Sequence, residues 1–157
     1  TPHNDAKARG VFFGLHLGHQ RGHLVRSVLE GICFALRDSL ELVQQSGRIS
    51  ENITAIGGGN RSRIWRQIQA DVFNLPVLTI SPNGGPAYGA SLMAASGSNY
   101  IPSLEEGVKD WTNTMEVVEP NPEFVPIYEE LHHLYKTLYP SLEDRFEKAS
   151  LIHENLL

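Results

Sequence analysis

The chain has 157 residues, 41% of them hydrophobic, one Cys, and 13 Lys+Arg against 18 Asp+Glu for a formal net charge of −5. That length and apolar content suffice for one compact domain and argue against two full ones. No apolar stretch nears the roughly 20 residues of a membrane helix, and the scattered Lys and Arg form no basic stripe, so neither a membrane nor a nucleic acid is an expected partner.

The chain opens Thr1-Pro2-His3-Asn4-Asp5, with neither an initiator Met nor the regions of a signal peptide, and reads as a piece of something longer. Residues 1–9 read as an irregular loop, and the apolar run Gly10–Leu15, bounded by glycine, is expected to be a strand. After a His- and Gly-rich turn over 16–22, Val25, Val28, Leu29, Ile32, Leu36, Leu40 and Val43 recur on one helical face until Ser46-Gly47. Cys33, inside that helix, cannot close an internal disulfide and reads as a small core residue in a reducing, cytoplasmic setting.

Ile53–Ile56 is expected to be a strand, followed by the turn Gly57-Gly58-Gly59-Asn60. Ile64, Ile68, Val72 and Leu75 then keep helical spacing until Pro76. Val77–Ile80 makes a second strand, and the turn Pro82–Pro86 opens a helix that runs to Ala95, with Gly97 beyond it. This strand-helix-strand-helix order argues for α/β layering with neighbouring parallel strands. A short helix over Ser103–Lys109, a strand over Met115–Val118 and a helical tail over Phe124–Ala149, broken at Pro140, complete the reading.

The triple glycine is the strongest chemical signal. Glycines let a ligand approach the backbone, and the helix that follows offers unpaired N–H groups and the positive end of its dipole. The pattern suits a nucleotide and equally a turn that only packs strand on helix. It is no P-loop, lacking Lys-Ser/Thr after its last Gly, and no dinucleotide fingerprint, since Ser62 stands where a further Gly would fall. The small-residue segment Gly84–Ala90 reads first as a packing device. His16, His19 and His23 lack a carboxylate or Cys at supporting spacing, so hydrogen-bonded or solvated histidines are expected rather than a metal site. Glu30 and Asp71 read as ion-pair or capping residues, and Trp65 and Trp111 as core or interface.

Gly10, Phe12, Gly14-Leu15, His23-Leu24 and Ser27-Val28-Leu29-Glu30 make a long, specific pattern that resembles the C-terminal signature of the FGGY carbohydrate kinases. Residues 1–15, Gly57–Ser62, Trp65–Gln67 and Gly85–Ala90 extend the resemblance over most of the chain, and it weakens after residue 100. The resemblance implies a two-domain α/β kinase of ribonuclease H-like, actin-like fold, with sugar in the cleft and ATP or ADP with Mg²⁺ held mainly by the C-terminal domain. On it, residues 1–157 are the later part of that nucleotide-binding domain, and the sugar domain and the first part of the C-terminal domain are absent. Gly58 and Gly59 would lie against the nucleotide near its ribose and α-phosphate, and Arg63 beside the adenine, where the family often has a small polar residue. The turn Gly84–Ala87 would lie near the same pocket. The catalytic Asp is expected upstream, so the chain carries no catalytic residue and no metal ligand and is expected to be inactive alone.

The partners so implied are a nucleotide and, for the whole enzyme, a pentulose sugar, with a homodimer left open. Two alternatives stand beside this reading: a different pentulose or polyol kinase, and a non-catalytic binding or assembly module that uses the helix face around Leu29 and Leu36. A Rossmann-type binder is disfavoured by Ser62 and by the lack of an acid after the next strand.

Overall fold

β-Branched residues bounded by glycine and proline build a small mixed sheet within residues 49–122, one of two units into which the chain packs; the other joins residues 1–48 to 123–157. The computed structural model describes residues 3–82 and 85–154.

In the unit of residues 49–122, β1 (Ile53–Ala55) leads through a 3₁₀ turn (Gly58–Arg61) into α2 (Arg63–Phe73), and Asn74 ends that helix in the left-handed conformation, φ 51°. Asn tolerates that geometry, and Pro76 prevents the helix from resuming. β2 (Val77–Ser81) then pairs parallel to β1, with Ile53 opposite Val77 and Ala55 opposite Thr79, as the strand-helix-strand order requires. β3 (Asn113–Val118) adds antiparallel to the far edge of β2, with a register shift at Thr79/Ile80. Ala55, Ala70, Val77 and Val118 form the core between sheet and α2, with Ile53 packed against them.

α3 (Gly85–Gly97) runs two residues past the expected end at Ala95, and Gly97 belongs to it. Asn99, φ 57°, makes the left-handed turn instead, and Tyr100 N donates to Ala95 O at 2.9 Å. α4 (Leu104–Trp111) is capped by Ser103, whose hydroxyl accepts from Glu106 N at 3.1 Å. It packs on α3 so closely that a Cβ at Gly107 would press on Leu92 of α3 at 3.2 Å and overlap Ile101 of the loop between the two helices. Of the expected turn Pro82–Pro86, Asn83 and Gly84 lie outside the described residues, as do Thr1 and Pro2.

The other unit is built on α1 (Arg21–Gln45) and α5 (Val125–Glu154). Phe34 on α1 meets Tyr128, His132 and Tyr135 of α5 at ring-centroid distances of 6.2, 5.7 and 5.3 Å. The face buried here carries Cys33, Phe34 and Asp38. The apolar stripe expected to face the core is mostly half-exposed at Val25, Val28, Ile32, Leu36 and Val43. Burial, with the Glu30 charge nearby, pushes the Cys33 thiol up to about 12. Cys33 therefore stays protonated at pH 8, and iodoacetamide should label it at least ~100-fold more slowly in the native chain than in urea. Equal labelling rates by mass spectrometry would show that the α1–α5 packing does not hold.

Two expectations fail in this unit. Gly10–Leu15 forms no strand, and Val11, Phe12, Phe13 and Leu15 are 49–65% exposed. A strand persists only beside a hydrogen-bonding neighbour, and among the described residues none pairs with this run. Pro140 does not break the tail, because α5 passes through it. The missing N–H costs one ladder bond, and contacts beyond it hold the second half in place: Lys7 Nζ pairs with Glu147 at 2.8 Å and Arg9 Nη2 donates to Ser150 Oγ at 3.1 Å. The His3 ring stacks on Tyr139 at 3.7 Å, one residue before the proline.

Candidate functional site

The triple glycine stands where β1 ends. Because β1 and β2 are parallel neighbours, this turn leaves the sheet from its carboxyl edge, where α/β folds bind ligands. Gly57 has φ 88° and ψ 178°, a backbone region essentially reserved for glycine. Gly58 and Gly59 follow in the 3₁₀ turn, both exposed, and a Cβ at Gly58 would meet nothing within 4 Å. At Gly59 the nearest atom to such a Cβ is Trp65 Nε1, at 3.5 Å. Ser62 caps α2 by accepting from Trp65 N at 3.3 Å, and Arg63 is the first residue of that helix, its side chain exposed. Gly58, Gly59 and Arg63 thus share one open ledge of backbone leading into a helix N-terminus. The space over the glycines fits a flat or anionic ligand lying against the main chain.

Side chains distant in sequence hold the ledge. Asn60, buried, donates its side-chain amide to Ile56 O across the glycines. Arg66, also buried, donates Nη1 to Asn60 O and reaches Glu116 of β3 with Nη2 at 2.6 Å. The shape of the turn is therefore set jointly by α2 and β3. Sequence reasoning missed this clamp: Asn60, Arg66 and Glu116 follow no local pattern, and Arg66 lies opposite the Ile64–Ile68–Val72 stripe of α2, where a charged residue draws no notice.

Of the remaining candidates, the histidines are hydrogen-bonded and Glu30 is ion-paired as expected, whereas Asp71 makes neutral hydrogen bonds rather than an ion pair or a helix cap. His16 Nδ1 accepts from Gly18 N, His19 Nδ1 from His16 N and His23 Nδ1 from Gln20 N, each at 3.0 Å, so the three exposed histidines shape the turn into α1. Glu30 pairs with Arg26 at 2.8 Å and accepts from Tyr128 Oη at 2.7 Å. Asp71 accepts from Gln67 Nε2 at 2.9 Å and from Asn121 N at 2.7 Å. Trp111 is part-exposed, its ring 6.1 Å from that of Tyr100.

Residues 1–98 match the C-terminal domain of the FGGY family of carbohydrate kinases, and the chain belongs to that family. The xylulose kinase of Staphylococcus epidermidis is 38% identical over 139 residues, 88% of this chain and 28% of that protein. Among solved structures, the xylulose kinase of Rhodospirillum rubrum superposes with a TM-score of 0.77 at 35% identity, over 89% of this chain and 28% of that one. The gluconate kinase of Lactobacillus acidophilus gives 0.81 at 30%, over 92% and 29%. The fold is thus of the α/β, ribonuclease H-like, actin-like class shared by these sugar kinases, which use ATP and ADP. The chain spans about 28% of the length of the curated relative. Among the described residues no helix is long and apolar enough to cross a membrane.

Proposed function

We propose that residues 1–157 are the later, nucleotide-binding part of the C-terminal domain of an ATP-dependent xylulose kinase, which phosphorylates D-xylulose to D-xylulose 5-phosphate. The observation that carries this reading is the exposed glycine turn at the carboxyl edge of β1 and β2, in a chain whose relatives are named xylulose kinases. The bound nucleotide supplies the phosphoryl group. This chain's part is to seat the adenosine end: Gly58 and Gly59 let the ribose and α-phosphate rest on the main chain, and Arg63 lies beside the base. No residue from Gly57 to Arg63 is a carboxylate, so Mg²⁺ comes with the phosphates of the nucleotide rather than on ligands from this turn. Phosphoryl transfer also needs a base for the sugar hydroxyl and groups that hold the sugar, which this reading assigns to the rest of the kinase, acting in the cytoplasm.

A second reading keeps the kinase and changes the sugar. It is favoured by the likeness to a gluconate kinase, whose TM-score of 0.81 is as good as that to a xylulose kinase. Calorimetric titration of ADP with Mg²⁺ into the chain tests the nucleotide assignment, with saturable one-to-one binding expected. A folded chain that binds no ADP would favour the non-catalytic assembly module instead. In a coupled assay the chain alone should give no D-xylulose-dependent ADP.

A further inference from the structure

Three ligand-bearing side chains converge where α1 meets α5, in the unit that does not hold the glycine turn. Asp38 and Glu41 lie one helical turn apart on α1, and His132 comes from α5; one donor atom from each falls within 4.8 Å of the others. His132 is 0% exposed, walled by Phe34 and Tyr135. Its Nε2 lies 2.8 Å from Asp38 Oδ1, the distance of an imidazole N–H donating to a carboxylate. That bond fixes the tautomer and turns the lone pair of Nδ1 toward Glu41. Nδ1 is buried with no hydrogen-bond partner, and Glu41 Oε1 stands 3.5 Å away.

The separation is informative. It is long for a hydrogen bond, yet two ligand atoms bound at about 2.1 Å to one tetrahedral ion stand about 3.4 Å apart. A carboxylate on one nitrogen of a histidine and an open lone pair on the other is also the arrangement by which proteins orient a metal-binding imidazole. Local charge permits a cation. Asp38, Glu41 and Glu129 face Arg37 and Lys136, three negative groups against two positive ones. Arg37 Nε and Lys136 Nζ hold the two oxygens of Glu41 at 3.3 and 3.2 Å, so an ion must compete with them, which argues for modest affinity.

We propose that His132 Nδ1 and the Glu41 carboxylate bind a divalent transition-metal ion of the zinc type, with Asp38 as the orienting partner, stapling α5 to α1. A nitrogen donor beside a carboxylate favours Zn²⁺ or Co²⁺ over Mg²⁺ or Ca²⁺. The proposal uses other residues than the nucleotide reading and stands or falls apart from it.

The test is titration of CoCl₂, read by its visible absorption, and of ZnCl₂, read by calorimetry, into the full chain and its variants. The exposed histidines 16, 19 and 23 give a background common to all of them, so the difference between variants is the signal. Wild type should take up one equivalent more than Glu41→Gln and His132→Gln, Asp38→Asn should bind about 10-fold or more weakly, and Glu41→His should retain the site. Zn²⁺ should also raise the melting temperature of wild type and leave that of Glu41→Gln unmoved. Because Glu41 is part-exposed, its variant folds even if loss of His132 is not tolerated. Equal uptake by folded wild type and Glu41→Gln overturns the proposal.

Discussion

Gly58→Val should weaken ADP binding by roughly 100-fold or more while leaving the melting temperature within a degree or two, and Gly57→Val should unfold the turn itself. The contrast follows from backbone geometry. Gly57, at φ 88° and ψ 178°, sits where an L side chain is strained, at a cost of about 1–3 kcal/mol, and a β-branched residue lies at the upper end. Gly58 has no such φ, and a Cβ there stands in open space, so valine fits the free chain. What valine fills is the volume through which a nucleotide would reach the main chain, and losing about 2.8 kcal/mol of contact there is a 100-fold loss of affinity. Calorimetric titration beside thermal melts separates the two effects. Wild-type ADP affinity in Gly58→Val would remove the nucleotide from this ledge.

Arg66→Met should cost about 2–3 kcal/mol, among the largest losses available to a single substitution in the unit of residues 49–122. The buried guanidinium makes two charge-assisted bonds, to Asn60 O and to Glu116, each worth about 1.5–3 kcal/mol. Its Nε is buried without a hydrogen-bond partner, and methionine relieves that, which keeps the net loss toward the value of one bond. Glu116→Gln should cost only about 1 kcal/mol, because Glu116 is 46% exposed, water screens the pair, and glutamine still offers an acceptor. Urea unfolding of both variants measures the order. A larger loss for Glu116→Gln would mean that the ion pair, rather than the bond to the glycine turn, anchors Arg66.

What the sequence disclosed and what it withheld divide along chain distance. β1, α2 and β2 are legible because glycine and Pro76 punctuate apolar runs within a few residues, and their parallel pairing follows from the intervening helix. The open turn is legible for the same reason, since glycine's backbone freedom is a property of the residue itself. The clamp on that turn joins residues 50 apart, and the Asp38–His132 contact spans 94, so neither leaves a local trace. Gly10–Leu15 misleads because an apolar run looks the same with or without a neighbouring strand. Pro140 misleads because the contacts that hold α5 beyond it come from Lys7 and Arg9, more than 130 residues away in sequence.

The half-exposed stripe on α1 reaches beyond packing into calorimetry. Val25, Val28, Ile32, Leu36 and Val43 already meet water in the native state, so melting the chain hydrates less new apolar surface than its length suggests. The heat-capacity increment of unfolding should fall below the roughly 1.9 kcal/mol/K that about 12 cal/mol/K per residue gives for a chain of this size. A flatter stability curve follows, changing little between refrigerated and ambient temperatures, with cold denaturation pushed further below freezing.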